Sequence, residues 1–122
     1  MTPITITIRG TVLDGRLRDN PTARDLIAQL PLELEFRDFN SVEKIARLPE
    51  DLTMDGVPEG DDPEPNDIGY YAPTGNLFFY YDDVGYWDGI VRLGIFTSDM
   101  DPIRNQAGTF TATIELAGQD QP

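Results

Sequence analysis

Apolar and polar residues alternate with a period of two near both ends of this chain and in its interior, and that period constrains the fold more than any single residue. Ile4, Ile6 and Ile8 alternate with Thr5, Thr7 and Arg9. Leu32, Leu34 and Phe36 alternate with Glu33, Glu35 and Arg37, and Phe110, Ala112, Ile114 and Leu116 with Thr111, Thr113 and Glu115. Successive strand side chains point to opposite faces, so each run reads as a half-buried strand. IGYY, NLFFYYD and GIVRLGIF add further strands, the first two joined across Pro73-Thr74-Gly75-Asn76. Asp14-Gly15, between Leu13 and Leu17, reads as the turn of an N-terminal hairpin.

One segment breaks the period. In DNPTARDLIAQLP, Ala23, Leu26, Ile27 and Leu30 recur at i, i+3, i+4 and i+7. Asn20 suits the N-cap, Pro21 the first helical position and Pro31 the stop, so the spacing predicts one amphipathic helix over about residues 20–30. Ser41 reads as the cap of a short helical turn in which Val42, Ile45 and Ala46 share a face, and Ser98 to Gln106 as turn-like with a short helical turn. From Glu50 to Asp67 there are eight acidic residues, no basic one, and Pro58, Pro63 and Pro65 among Gly56 and Gly60. That predicts a long loop carrying most of the net charge. Residues 1–116 are expected to form a single domain and 117–122 a fraying tail.

A chain of 122 residues buries roughly two-thirds of the surface its unfolded form would expose. Short strands, one helix and one long loop fit a mainly β fold, a small barrel that removes exposed sheet edges. An open antiparallel sheet with the helix on one face is the competing arrangement, and periodicity does not decide between them.

The chemical repertoire is short. Without Cys there are no disulfides, thiolate metal sites or thiol nucleophiles; without His the usual general base and the commonest zinc ligand are missing. Asp61, Asp62, Glu64 and Asp67 are hard oxygen donors, but they lack the spacing of a calcium loop and read as a solvated segment. Asp82, Asp83 and Asp88 form a second acidic group, equally unspecific. Neither a metal nor a cofactor is expected. The net charge of −13 repels nucleic acid and anionic lipid. No stretch reaches the roughly 18 apolar residues of a membrane span, and the N-terminus carries no basic region followed by an apolar run, so the cytoplasm is the expected compartment. A small molecule, a peptide or a second copy of the chain remain as partners.

The order of signatures is more specific than any one of them: a helix ending in QLPLELEFRDF, an acidic Pro-rich loop, NDIGYYAPTGNLFFYY, then DGIVRLGIF. Over about residues 4 to 116 this resembles small bacterial proteins with a cyclophilin-like fold, with Asn66-Asp67-Ile68 where a Gly-Asp-Ile is usual. The resemblance implies a closed or nearly closed β-barrel with a helix across an opening. True cyclophilins are peptidyl-prolyl isomerases. Such catalysis needs a donor for the twisted amide, an apolar pocket for the proline ring and polar groups for the flanking backbone, but no nucleophile or metal. Here Phe36-Arg37 is the only echo of the isomerases' arginine strand, followed by DFNSVEK instead of a glycine-rich segment. The resemblance thus implies the fold; a divergent peptidyl-prolyl isomerase with Arg37 as the amide-stabilising group is one alternative function, and a structural or self-association module is the other.

Strand phase suggests a site. If Leu32, Leu34 and Phe36 face inward, Arg37 and Phe39 face outward; if Leu77, Phe79 and Tyr81 are inside, Phe78 and Tyr80 are outside; and if Val91, Leu93 and Ile95 are inside, Arg92 and Phe96 are outside. These aromatics and arginines, with Trp87 between Gly85 and Gly89 as a lid or anchor, would form a binding face for a peptide or small ligand. The competing reading has the acidic loop, the Ser41 turn or a second subunit cover the rings. Tyr70 and Tyr71 are assigned to core or rim, with hydroxyls on backbone partners.

Overall fold

The computed structural model describes residues 1–39, 41 and 43–118. Eight antiparallel strands close into a barrel: β1 (Thr2–Ile8), β2 (Thr11–Leu17), β3 (Leu32–Phe39), β4 (Glu43–Arg47), β6 (Asp67–Tyr71), β7 (Asn76–Tyr80), β9 (Ile90–Phe96) and β10 (Phe110–Leu116). Their order around the barrel is β1-β10-β3-β4-β7-β6-β9-β2. Two-residue strands β5 (Gly60–Asp61) and β8 (Trp87–Asp88) pair separately. Closure decides against the open sheet and is the arrangement that leaves no edge.

The inward phases fill the barrel. Ile4, Ile6, Ile8, Leu34, Phe36, Leu77, Phe79, Ala112 and Ile114 are all buried in one core, with Phe36 stacked between Phe79 and Phe110 at centroid distances of 4.3 and 5.6 Å. Helix α1 (Pro21–Gln29) follows the expected capping: the Asn20 side chain accepts the Ala23 N–H at 2.8 Å. It buries Ala23 and Leu26 in the barrel core at the end where β2 stops and β3 starts. The Thr22 hydroxyl donates to the Thr53 carbonyl, and the Thr53 N–H to Asp25, so the start of the acidic loop is tied to the helix. At the opposite end α2 (Asp101–Arg104) seats Ile103, with Met100, in the same core. No helix among the described residues is long and apolar enough to cross a membrane.

Three local expectations are corrected. The first hairpin turns at Arg9-Gly10, with φ of 50° and 83°, where a two-residue loop needs positive φ at both positions. Asp14-Gly15 lies inside β2, and Gly15 is there for clearance: a Cβ would stand 3.0 Å from the Ile95 carbonyl oxygen of β9. The helical turn after Ser41 is instead strand β4. Ser41 lies at φ 56° and gives its N–H to Asp38, while Ile45 and Ala46 point to opposite faces; Val42 lies outside the described residues. The acidic segment is loop for most of its length, but it contains β5, and Asp67 begins β6. Tyr70 is buried and its hydroxyl accepts the Leu52 N–H at 3.1 Å, a backbone partner as expected. Of the C-terminal tail, residues 119–122 lie outside the described residues.

Candidate functional site

The outer surface of β3-β4-β7-β6-β9 carries two rows of outward side chains. Strand register aligns Phe39, Glu43 and Tyr80, then Asp67 and Ile95, in one row. The next row is Arg37, Ile45, Phe78, Gly69 and Arg92. Arg37 and Arg92 therefore stand at opposite ends of one row, four strand spacings or about 19 Å apart along the sheet.

The middle of both rows is covered. Phe78 and Tyr80 face away from the barrel core, as their phase requires, yet they are only 7% and 1% exposed. With Ile45 they make a satellite cluster against which Tyr71 and Val84 pack. Their rings stack at 5.5 Å, and Tyr71 meets Phe78 edge-on at 6.3 Å. Gly69 makes room for this cluster: a Cβ there would lie 2.5 Å from Tyr80 Cε2. The outward aromatic phase of β7 thus forms a second small core.

Arg92 is committed as well. Its Nε donates to Asp67 Oδ2 at 2.7 Å, and Glu64 lies 3.9 Å from its Nη2. Asp67, wholly buried, also accepts the Glu64 N–H at 2.8 Å, so the acidic loop comes down on the arginine. Phe96 is corrected from outward to inward: it is buried in the barrel core, and Ile95 takes the outward place. The reason is a bulge, since one step on β6 from Ile68 to Gly69 spans Gly94 to Arg92 on β9, leaving Leu93 extra and reversing the phase beyond it.

Two ionisable groups escaped sequence reasoning. Glu43 is buried beside Tyr80; loss of solvent and the nearby Asp38 charge push its carboxyl up to about 7. Its Oε2 has no hydrogen-bond partner among the described residues. Lys44, in phase with core residue Ala46, enters the α2 end of the barrel, where its ammonium donates to the Gln106 carbonyl at 2.8 Å and meets Asp38 at 3.0 Å. The Tyr81 hydroxyl donates to the same Asp38 carboxylate, and the Tyr81 ring lies 5.3 Å from the ammonium. Burial works against the Asp38 charge, but the hydrogen bonds from Tyr81 and Lys44 outweigh it and hold the carboxyl below its ordinary value. A strand assignment for 43–47 would have exposed both signals, because it places a charge in each phase.

Arg37 and Phe39 remain accessible. Both are exposed on the same face of β3, Phe39 by 40%. A shallow cavity of about 210 Å³ opens beside Arg37, on the side away from Phe39, and is lined also by Glu35, Phe36, Ile45, Ala46, Arg47 and Asn76. Arg47 is held by Asp51 at 3.1 Å and by the Gly75 carbonyl at 2.8 Å, whereas Arg37 forms no ion pair among the described residues. Trp87 stands apart on β8, exposed, and takes no part in this face. The seven residues singled out from sequence therefore separate into an open pair, a buried pair, an ion-paired arginine, a core phenylalanine and a distant tryptophan.

The model of the Cyclophilin-like family matches residues 6–115. The fold is shared with the solution structure of the hypothetical protein AF2241 from Archaeoglobus fulgidus, at a TM-score of 0.73, 14% identity and 95% coverage of each chain. No curated protein matches the chain.

Proposed function

The chain belongs to the Cyclophilin-like family, and we propose that it acts as a binding module for a peptide or small carboxylate on the outer barrel face beside Arg37. The observation that carries this reading is an exposed arginine, Arg37, on the wall of a cavity to which Asn76 adds an amide, with the exposed ring of Phe39 next to Arg37 on the same strand face. A guanidinium with no carboxylate partner among the described residues is suited to bidentate capture of a ligand carboxylate, and a rigid strand keeps the loss of freedom on binding small. The ring sits two positions away on the same face.

The same geometry favours binding over proline isomerisation. Phe36, Ile45 and Ala46 line the cavity with Glu35, Arg37, Arg47 and Asn76, but Phe36 and Ala46 turn their side chains into the barrel core, so Ile45 is its one outward apolar side chain. A proline ring would lack the apolar seat that isomerisation requires. Backbone amide shifts during titration with an acetylated tripeptide bearing a free carboxylate test the proposal. Saturable shifts along β3 and β4 that Arg37→Ala abolishes are expected; shifts elsewhere, or none at millimolar peptide, would overturn it. In a protease-free isomerisation assay, acceleration lost in Arg37→Ala would instead establish the isomerase.

A further inference from the structure

Tyr86 and Trp87 are the most exposed rings of the molecule, at 59% and 56%. Isolated apolar residues at a surface are ordinary, but an exposed indole held on a paired strand directly opposite a carboxylate, Asp61, is a fixed aromatic and acidic pair, with the Tyr86 ring over Gly60 on the other face. The backbone is fixed on both sides: Trp87 and Asp88 pair with Asp61 and Gly60, the Gly89 N–H donates to the Glu59 carbonyl at 2.7 Å, and the Ala72 N–H to the Gly89 carbonyl at 2.9 Å. The rings are thus presented by a short strand pair anchored to the end of β6.

Their surroundings are acidic. Local desolvation and the surrounding carboxylates of Asp88, Glu59 and Asp61 hold the proton of the Tyr86 hydroxyl more tightly than usual. From Leu48 to Val91 the chain has eleven Asp and Glu and no Lys or Arg. The next arginine, Arg92, is already paired with Asp67.

We infer that the β5-β8 flap is a docking surface for a basic, arginine-bearing segment of another protein, which lays a guanidinium on the Trp87 indole beside the carboxylate of Asp61, its partner across the strand pair. Arginine is the cation that stacks best on an indole face and pairs best with carboxylates. An anionic partner is repelled here, and a second copy of a chain with a net charge of −13 gains nothing from charge. The inference is independent of the site at Arg37, which lies on the other side of the satellite cluster.

Trp87 is the chain's only tryptophan, so its fluorescence reports this surface alone. The probe is an eight-residue peptide alternating arginine with glycine, compared with one in which asparagine replaces every arginine. The arginine peptide should change the Trp87 emission saturably and the asparagine peptide should not. By calorimetry, Trp87→Ala should weaken binding about tenfold, Trp87→Phe less, and Asp61→Asn several-fold with a shallower salt dependence, while Asp88→Asn on the opposite face should change it less. Equal binding by wild type and Trp87→Ala would overturn the proposal as unspecific attraction to an acidic chain. So would a dimer in sedimentation that Trp87→Ala dissociates, which would make the flap a self-contact, and so would a failure of the arginine peptide to alter the emission at all.

Discussion

Arg92 Nε lies 2.7 Å from Asp67 Oδ2 and ties β9 to β6 where the acidic loop re-enters the barrel. An arginine that strand phase assigns to a ligand instead balances a carboxylate with no exposure to solvent. Removing one partner of such a pair leaves the other charge uncompensated. Arg92→Ala should lower unfolding free energy in urea by about 3 kcal/mol. Asp67→Asn, which keeps shape and hydrogen bonding but removes the charge, should cost less.

Gly69 and Tyr80 should prove coupled. Gly69→Ala places a methyl 2.5 Å from the Tyr80 ring and should destabilise the fold by about 1–3 kcal/mol. In a Tyr80→Leu background, where the ring is gone, most of that extra cost should vanish. A double-mutant cycle in denaturant measures the coupling, and additive effects would show that the ring does not depend on the glycine.

Glu43 and Asp38 give opposite pH dependences. The Glu43 carboxyl titrates at about 7 in the folded chain against 4.5 when unperturbed, so the folded state holds its proton more tightly. Its contribution is fully present below about 4.5 and is lost as pH rises through 7. The Asp38 carboxyl is depressed from 3.8, so its contribution is present above that value and lost as pH falls through the lower folded pKa. Thermal melting should show Tm falling between pH 5 and pH 8, and Glu43→Gln should flatten that slope while leaving the acid limb in place.

Lys44 tests whether a buried ion pair stabilises or only fits. Its side chain is 3% exposed and meets the Asp38 carboxylate at 3.0 Å. Lys44→Met fills similar space and should cost less than Arg92→Ala, because the Asp38 carboxylate it leaves, unlike Asp67, is 35% exposed and keeps the Tyr81 hydroxyl as a donor. Lys44→Ala leaves a void and should cost about 2 kcal/mol or more.

Trp87→Ala should leave stability within about 0.5 kcal/mol of the parent, since its ring is more than half exposed. A larger loss in denaturant melts would mean that the indole packs on the flap, and would remove the stability control on which the binding comparison relies.

Much of the fold was legible because its signals are local. Asn20 and Pro21 place the start of α1, and the alternation around Ile6, Leu34 and Ala112 assigns three strands and their inward faces. The turn of the first hairpin is not legible locally, because Arg9-Gly10 and Asp14-Gly15 both look like turns over a short window. Only pairing shows that Thr11–Leu17 must lie flat against Thr2–Ile8. The candidate site was legible only in part. Arg37 and Phe39 are outward and open, while Phe78 and Tyr80 are outward but covered, a difference that strand phase does not carry.

By itself the sequence determined which residues favour strand, helix or loop, and on most strands which side chains point inward, because both depend on backbone preference and on a period of two. Tertiary structure decided the rest. Barrel closure brought Asp67 to Arg92 and set Arg37 at the far end of the same row; the bulge at Leu93 turned Phe96 inward; and the loops buried one outward aromatic pair while leaving Tyr86 and Trp87 in solvent. Those outcomes depend on strand order, register and loop path, contacts between residues far apart in the chain that no local window contains.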